Sequence, residues 1–83
     1  MALVHMYTTG WCGYCVRAKT LLARRGISYE EISLDDVVDF RELLLERTGG
    51  FTVPQILVDG VPIGGYAELW ELDRAGGLDE LAA

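Results

Sequence analysis

Basic residues are scarce in this chain. Seven lysines and arginines stand against thirteen aspartates and glutamates, a formal charge of −6. That balance argues against a nucleic-acid partner, whose phosphates select a basic face, and speaks mainly for solubility. No stretch approaches the ~18 consecutive apolar residues of a membrane span, so no membrane partner is expected. Met1-Ala2-Leu3-Val4 runs into His5 without the basic segment and apolar core of a secretory leader, and a cytoplasmic location is the expectation. Histidine occurs once and cysteine twice, too few ligands for a tetrahedral zinc site within one chain, so no metal is assigned. Repeats, low-complexity tracts and linkers are missing, and 83 residues that are 51% apolar read as one domain, 1–83.

What the chain does have is concentrated in Thr8-Thr9-Gly10-Trp11-Cys12-Gly13-Tyr14-Cys15, which holds both cysteines. A disulfide across so short a loop adds little stability, and in a reducing compartment a close pair is catalytic or metal-binding rather than a standing crosslink. An apolar run precedes the pair and a helical pattern follows it. Cys12 then sits at the helix N-terminal edge, with Cys15 in the first turn. Free N–H groups and the helix dipole favour negative charge there. An ordinary thiol is only about 3% thiolate at neutral pH. In such settings cysteine pKa values of roughly 3.5 to 7.5 make the thiolate abundant. Thiol–disulfide exchange is the chemistry this points to.

Along the chain, residues 3–8 form a short apolar strand, and His5 within it reads as structural. Gly13 to Arg25 reads as a helix with Val16, Ala18, Leu21 and Leu22 inward and Gly26 as its left-handed stop. Arg17, Lys19, Arg24 and Arg25 form its solvated basic face; Arg17 and Lys19 could also raise the potential near the thiols. Ile27 to Leu34, with Glu30 and Glu31, fits an edge strand. Asp35 or Asp36 caps a second helix carrying Val37, Val38, Phe40, Leu43 and Leu44, which ends at Thr48-Gly49-Gly50. Residues 51–58 form the next strand. Asp59-Gly60 is a two-residue hairpin turn, and Pro62 confines the returning strand Val61-Pro62-Ile63 to an edge. Gly64-Gly65 opens a last helix through Tyr66, Leu69, Trp70 and Leu72, with Trp70 packed inside, and Leu78 to Leu81 is a terminal turn. The order βαβαββα predicts an α/β fold: a mixed four-stranded sheet with three helices. Cys12 follows the C-terminal end of the first strand, where open α/β sheets bind ligands. A Cys-x-x-Cys in that context reads as a thioredoxin-like redox site.

Tyr7-Thr8, Cys12-Gly13-Tyr14-Cys15, Thr52-Val53-Pro54 and Gly64-Gly65-Tyr66, in this order and spacing, resemble the glutaredoxin family. The nearest type is the small bacterial dithiol, glutaredoxin-3-like form. Arg17-Ala18-Lys19, Arg47-Thr48-Gly49 and the closing Leu72-Asp73 and Gly76-Gly77-Leu78-Asp79 extend the likeness over nearly the whole chain. The resemblance implies a thioredoxin fold and glutathione as co-substrate in reducing protein disulfides and glutathione mixed disulfides. Cys12 is then the attacking thiolate and Cys15 the resolving one. It further implies a cis Val53–Pro54 bond that frees the Val53 backbone for the tripeptide, with Thr52 beside that contact. The Gly65 and Tyr66 amides at a helix start suit the γ-glutamyl carboxylate. Arg41 matches the family's position for the glycine carboxylate, and is otherwise an ordinary exposed arginine. Tyr14 flanks the site or packs locally; Trp11 is a substrate wall or half-exposed packing.

The chain departs from the family pattern at three positions. Gly13 stands where dithiol members usually carry proline, a feature shared with glutaredoxins that hold a [2Fe–2S] cluster between two subunits with two glutathiones. A cluster-bridged dimer that carries or senses iron–sulfur is therefore the alternative to a monomeric enzyme. Thr9 replaces a usual lysine and Ala67 a usual acidic or hydroxyl residue. These leave open a redoxin reduced directly by thioredoxin reductase, and Cys12-Gly13-Tyr14-Cys15 after Trp11 is also similar to mycoredoxin-like proteins, whereas Gly64-Gly65 favours glutathione.

Overall fold

The computed structural model describes residues 3–82, so the leader reading of Met1-Ala2 lies outside the described residues. The elements are β1 (Val4–Thr8), α1 (Gly13–Arg24), β2 (Glu30–Ser33), α2 (Phe40–Thr48), β3 (Gln55–Val58), β4 (Val61–Gly64), α3 (Tyr66–Arg74) and α4 (Leu78–Ala82). The strands form one sheet in the order β2-β1-β3-β4, with β1 and β2 parallel and the other neighbours antiparallel. This is the mixed four-stranded sheet of a thioredoxin fold. The expected three helices are corrected to four. Leu78 is buried in the core, and Asp79 and Glu80 occupy the first turn of α4, where the helix dipole favours acids.

Strand alternation splits the core in two. Val4 and Met6 of β1 and Ile56 of β3 turn to one face, where they meet Ala18, Leu21 and Leu22 of α1, Leu69 of α3 and Leu78. Tyr7 and Leu57 turn to the other face, against Leu44 of α2 and Leu34, which follows β2. Each fully buried leucine contributes roughly 1.5–3 kcal/mol through burial alone. The Asp59-Gly60 turn has positive φ at both residues, 52° and 82°, as a two-residue hairpin requires.

Several boundaries move, each for an identifiable reason. β2 begins at Glu30 rather than Ile27. Gly26 adopts φ 71°, its N–H donates to the Ala23 carbonyl at 3.1 Å, and the Ile27 N–H donates to the Leu22 carbonyl at 2.9 Å. That motif closes α1 and turns Ile27 into the core, so Ile27 to Tyr29 form a loop. Neither Asp35 nor Asp36 caps α2. Asp39, at φ 56°, precedes Phe40, while Val37 and Val38 lie in an exposed turn, Val38 at 87% exposure. β3 starts at Gln55 because Pro54 has no N–H to give a ladder. Val16, expected inside, is 60% exposed, because the inward stripe of α1 runs through Cys15, Ala18, Leu21 and Leu22.

Register decides where the chemistry gathers. Tyr7 pairs with Gln55, so the loop leaving β1 meets the loop entering β3. Thr8 pairs with Ser33, bringing the exit of β2 alongside, and Ile56 pairs with Gly64, bringing the start of α3. Four chain segments distant in sequence meet at one end of the sheet.

Candidate active site

Cys12 is the N-cap of α1, with extended backbone, and its Sγ accepts the Cys15 N–H at 3.0 Å. The two sulfurs are joined, with Cα atoms 5.1 Å apart. Cys15 is 1% exposed beneath the helix, whereas Cys12 is half-buried and reachable. Only Cys12 can meet an incoming sulfur. When the bond opens, the amide now pointing at Cys12 Sγ and the free N–H groups of the first turn stabilise negative charge on that atom. Cys15 waits behind it, one turn along.

The Val53 carbonyl oxygen lies 3.4 Å from Cys12 Sγ, and the Val53–Pro54 bond is cis. Tyr14, Thr52, Val53 and Pro54 together with Gly65 and Tyr66 line one cleft of about 300 Å³. The Tyr14 and Tyr66 rings stack at 6.1 Å across its mouth. Gly65 is required by close approach, since a Cβ there would stand 3.1 Å from the Pro54 carbonyl oxygen. Arg41 lies elsewhere: its guanidinium covers the Phe40 ring at 4.9 Å and borders a separate hollow with Asp39 and Glu42. Trp11 is 98% exposed at the tip of the redox loop, which overturns the half-exposed packing reading. His5 Nε2 is 3.2 Å from a Glu30 carboxylate oxygen, at the end of β1 away from the thiols.

Three polar residues lie at the site that the sequence did not assign to it. Asp35 Oδ1 accepts the Gly10 N–H at 2.8 Å and so ties the redox loop to the exit of β2. Glu68 lines the cleft and its Oε1 accepts the Gly65 N–H at 3.2 Å. Gln55 is buried at the cleft, its amide donating to the Thr52 hydroxyl at 3.5 Å. The signal for Glu68 was present, because an acid at the third helical position caps the helix start. Asp35 carried none, because its partner lies 25 residues away.

The basic residues of α1 divide. Arg17 stacks over the Tyr14 ring at 5.4 Å beside the thiols. Lys19 instead pairs with Glu31 at 2.5 Å, and the buried Thr8 hydroxyl donates to the same carboxylate oxygen at 2.6 Å. The Lys19 hydrogen bond first, then that of Thr8, holds the Glu31 carboxyl below its ordinary range. This network clamps α1 to β1 and β2.

An outward sulfur backed by a buried partner can cycle between bonded and open forms, two external thiols opening the bond and an external disulfide closing it. Carried on this sheet, the pair makes the chain a thioredoxin-fold dithiol–disulfide redox protein. Comparison narrows the class. The glutaredoxin family model matches residues 4–63. The chain is 47% identical to glutaredoxin 3 of Escherichia coli over 81 residues, covering 98% of each chain. It is 46% identical to a glutaredoxin of Pseudomonas aeruginosa, covering 98% of this chain and 96% of that one. Its backbone matches the crystal structure of the buckwheat glutaredoxin–glutathione complex with a TM-score of 0.86 at 33% identity, over 98% of this chain and 76% of that one. The chain belongs to the glutaredoxin family.

Of the two cysteines Cys15 is buried and Cys12 reachable, and no group of three His, Cys, Asp or Glu side chains converges among the described residues. No helix among them is long and apolar enough to cross a membrane.

Proposed function

We propose that this protein is a glutathione-dependent thiol–disulfide oxidoreductase that reduces protein disulfides and glutathione mixed disulfides as a cytoplasmic monomer. The observation that carries the reading is the half-buried Cys12 sulfur at the α1 N-cap with Cys15 buried one turn behind it.

With a mixed disulfide, the Cys12 thiolate attacks the glutathione sulfur. The S–S bond breaks, the protein sulfur leaves with the electron pair and takes a proton, and glutathione stays on Cys12. A second glutathione thiolate attacks that bonded glutathione sulfur, releasing glutathione disulfide and restoring the Cys12 thiolate. With a protein disulfide, Cys12 forms the mixed bond and the Cys15 thiolate then displaces the substrate sulfur, closing the Cys12–Cys15 bond. Two glutathiones reopen it, one attacking and one resolving.

The cleft is suited to the tripeptide. The Val53 backbone can pair with an extended peptide, as strand-edge recognition requires, and Thr52 and Pro54 border that line. The γ-glutamyl carboxylate belongs at the Gly65 and Tyr66 amides, where the Glu68 carboxylate must first give up the Gly65 N–H. Tyr14 and Tyr66 close the mouth, and Arg41 receives the glycine carboxylate by swinging off Phe40.

The test is a comparison of electron donors combined with cysteine variants. Glutathione with its reductase should sustain turnover, and mycothiol or thioredoxin reductase alone should not. Cys12→Ser should fall to the uncatalysed background. Cys15→Ser should keep reduction of glutathione mixed disulfides and lose most reduction of protein disulfides. Full activity in Cys12→Ser overturns the reading; turnover with another donor alone reassigns the reductant. A brown dimer after anaerobic reconstitution with iron, sulfide and glutathione would favour the cluster-bridged form.

A further inference from the structure

On the far side of Tyr66 from the cleft, α1 and α3 leave a second hollow of about 390 Å³. Val16 and Thr20 form one wall and Trp70 the other, over Leu21 and Tyr66. Val16 and Trp70 read in the sequence as core residues, yet they are 60% and 39% exposed. They therefore present apolar surface along an open groove.

The rim of this groove is basic. Arg17, Arg24 and Arg25 line it, and Arg74 stacks on the Trp70 ring at 4.6 Å. The one acid lining it is Asp73, whose two carboxylate oxygens are taken by Arg25 at 2.7 and 3.1 Å. Among the described residues neither Arg17 nor Arg24 forms a salt bridge. On a chain of formal charge −6, this is a local surplus of positive charge beside exposed apolar side chains.

The groove is continuous with the redox site. Tyr66 borders both hollows, and its stacking partner Tyr14 lies between the two cysteines. From Cys12 to Val16 is about 6 Å along α1, and from Val16 to Arg24 about 12 Å, at 1.5 Å per residue. An extended chain at about 3.3 Å per residue covers these spans in roughly two and four residues. A polypeptide whose sulfur reaches Cys12 can therefore lay residues about two to six positions from its cysteine along the groove.

We propose that the α1–α3 groove docks an acidic, extended segment of the protein whose disulfide Cys12 attacks. An apolar side chain seats between Val16 and Trp70, and carboxylates lie at Arg17 and Arg24. The proposal rests on the exchange reaction above and adds no chemical step to it. It names the partner's chemistry: aspartates or glutamates about two to six residues from the reacting cysteine, with an apolar residue among them.

The experiment uses three substrates with glutathione, its reductase and the full chain. Two are disulfide-linked peptide dimers, in which either sulfur attacked carries the segment, and they differ only in having Asp-Glu or Asn-Gln four and five residues from the cysteine. The third is hydroxyethyl disulfide, too small to reach the groove. The wild type should prefer the acidic peptide in kcat/KM by about five- to tenfold, and 0.5 M NaCl should erase the preference, since exposed charges are screened. Arg24→Glu should abolish or invert the preference while leaving hydroxyethyl disulfide turnover unchanged. Equal rates for the two peptides in the wild type, or an unchanged preference in Arg24→Glu, overturn the docking proposal. Failure to reduce hydroxyethyl disulfide would instead overturn the activity. The docking proposal is then decided by backbone amide NMR with an acidic peptide whose cysteine is serine. Shifts at Val16, Thr20 and the Trp70 indole support it; shifts confined to residues 52–55, or none, overturn it.

Discussion

The two hollows that meet at Tyr66 are built from different materials. The cleft beside Cys12 is walled largely by backbone: the Val53 carbonyl, the cis Val53–Pro54 segment and the glycine-led start of α3. The groove between α1 and α3 is walled by long side chains, arginines and a tryptophan among them. Backbone can pair with any extended peptide and tolerates little displacement, whereas arginine side chains read charge and yield easily. The difference teaches that rigid backbone on one side of a reactive sulfur suits a ligand of fixed peptide shape, whereas mobile charged side chains on the other suit partners that vary.

Three further substitutions press on that contrast. The largest effect is expected from Gly65→Ala on the rigid side. The added Cβ stands 3.1 Å from the Pro54 carbonyl oxygen, and backbone cannot swing aside as a side chain can. Overpacking of this kind costs about 1–3 kcal/mol, so KM for glutathione should rise roughly tenfold. Alkylation of reduced Cys12 should keep its rate, and a normal KM in a folded variant would show that the cleft is softer than its geometry indicates.

A smaller effect is expected where α1, the floor of the groove, is clamped to the sheet. Because Lys19 and Thr8 hold the folded Glu31 carboxyl below its usual 4.5, the pair's stabilisation is present above about pH 4.5. It is lost as the pH falls through the lower folded value. Glu31→Gln should lower stability at pH 7 by up to about 1 kcal/mol, as partly exposed pairs do. It should also flatten the acid limb of a chemical-denaturation profile measured below pH 4.5. An identical acid limb in the two proteins would rule the clamp out.

The smallest effect is expected from Glu68→Ala, which frees the Gly65 N–H and removes a negative charge from the cleft. KM for glutathione should fall about two- to threefold, the scale of one exposed charge contact. Titration calorimetry on Cys12→Ser, where no exchange intervenes, would check it. Weaker binding would mean that Glu68 helps position α3 rather than obstructing the ligand.

Legibility in the sequence followed the range of the interaction. The Gly26 stop, the Asp59-Gly60 turn, the strand edge at Pro62 and the cysteine pair at a helix start all depend on neighbours a few residues away, and each was readable. Val16 and Trp70 were misread because helical periodicity marks apolar residues without telling which are covered. Asp35 was misread as a helix cap because aspartate suits either role; only the parallel pairing of β2 with β1 presents it with the Gly10 amide. At the end of α3 the Gly77 N–H donates to the Leu72 carbonyl at 2.9 Å, as Ile27 does to Leu22 at the end of α1, and the chain is released to form α4 rather than a simple turn.

By itself the sequence determined a sulfur pair three residues apart at the head of a helix, and with it the exchange chemistry, because spacing and dipole act within one turn. Tertiary structure alone decided what surrounds that pair: Val53 against Cys12, Asp35 on the redox loop, Glu68 on the Gly65 amide and a basic groove behind Tyr66. Those contacts join segments that only strand register brings together, and register is set by burial over the whole sheet rather than by any local run of residues.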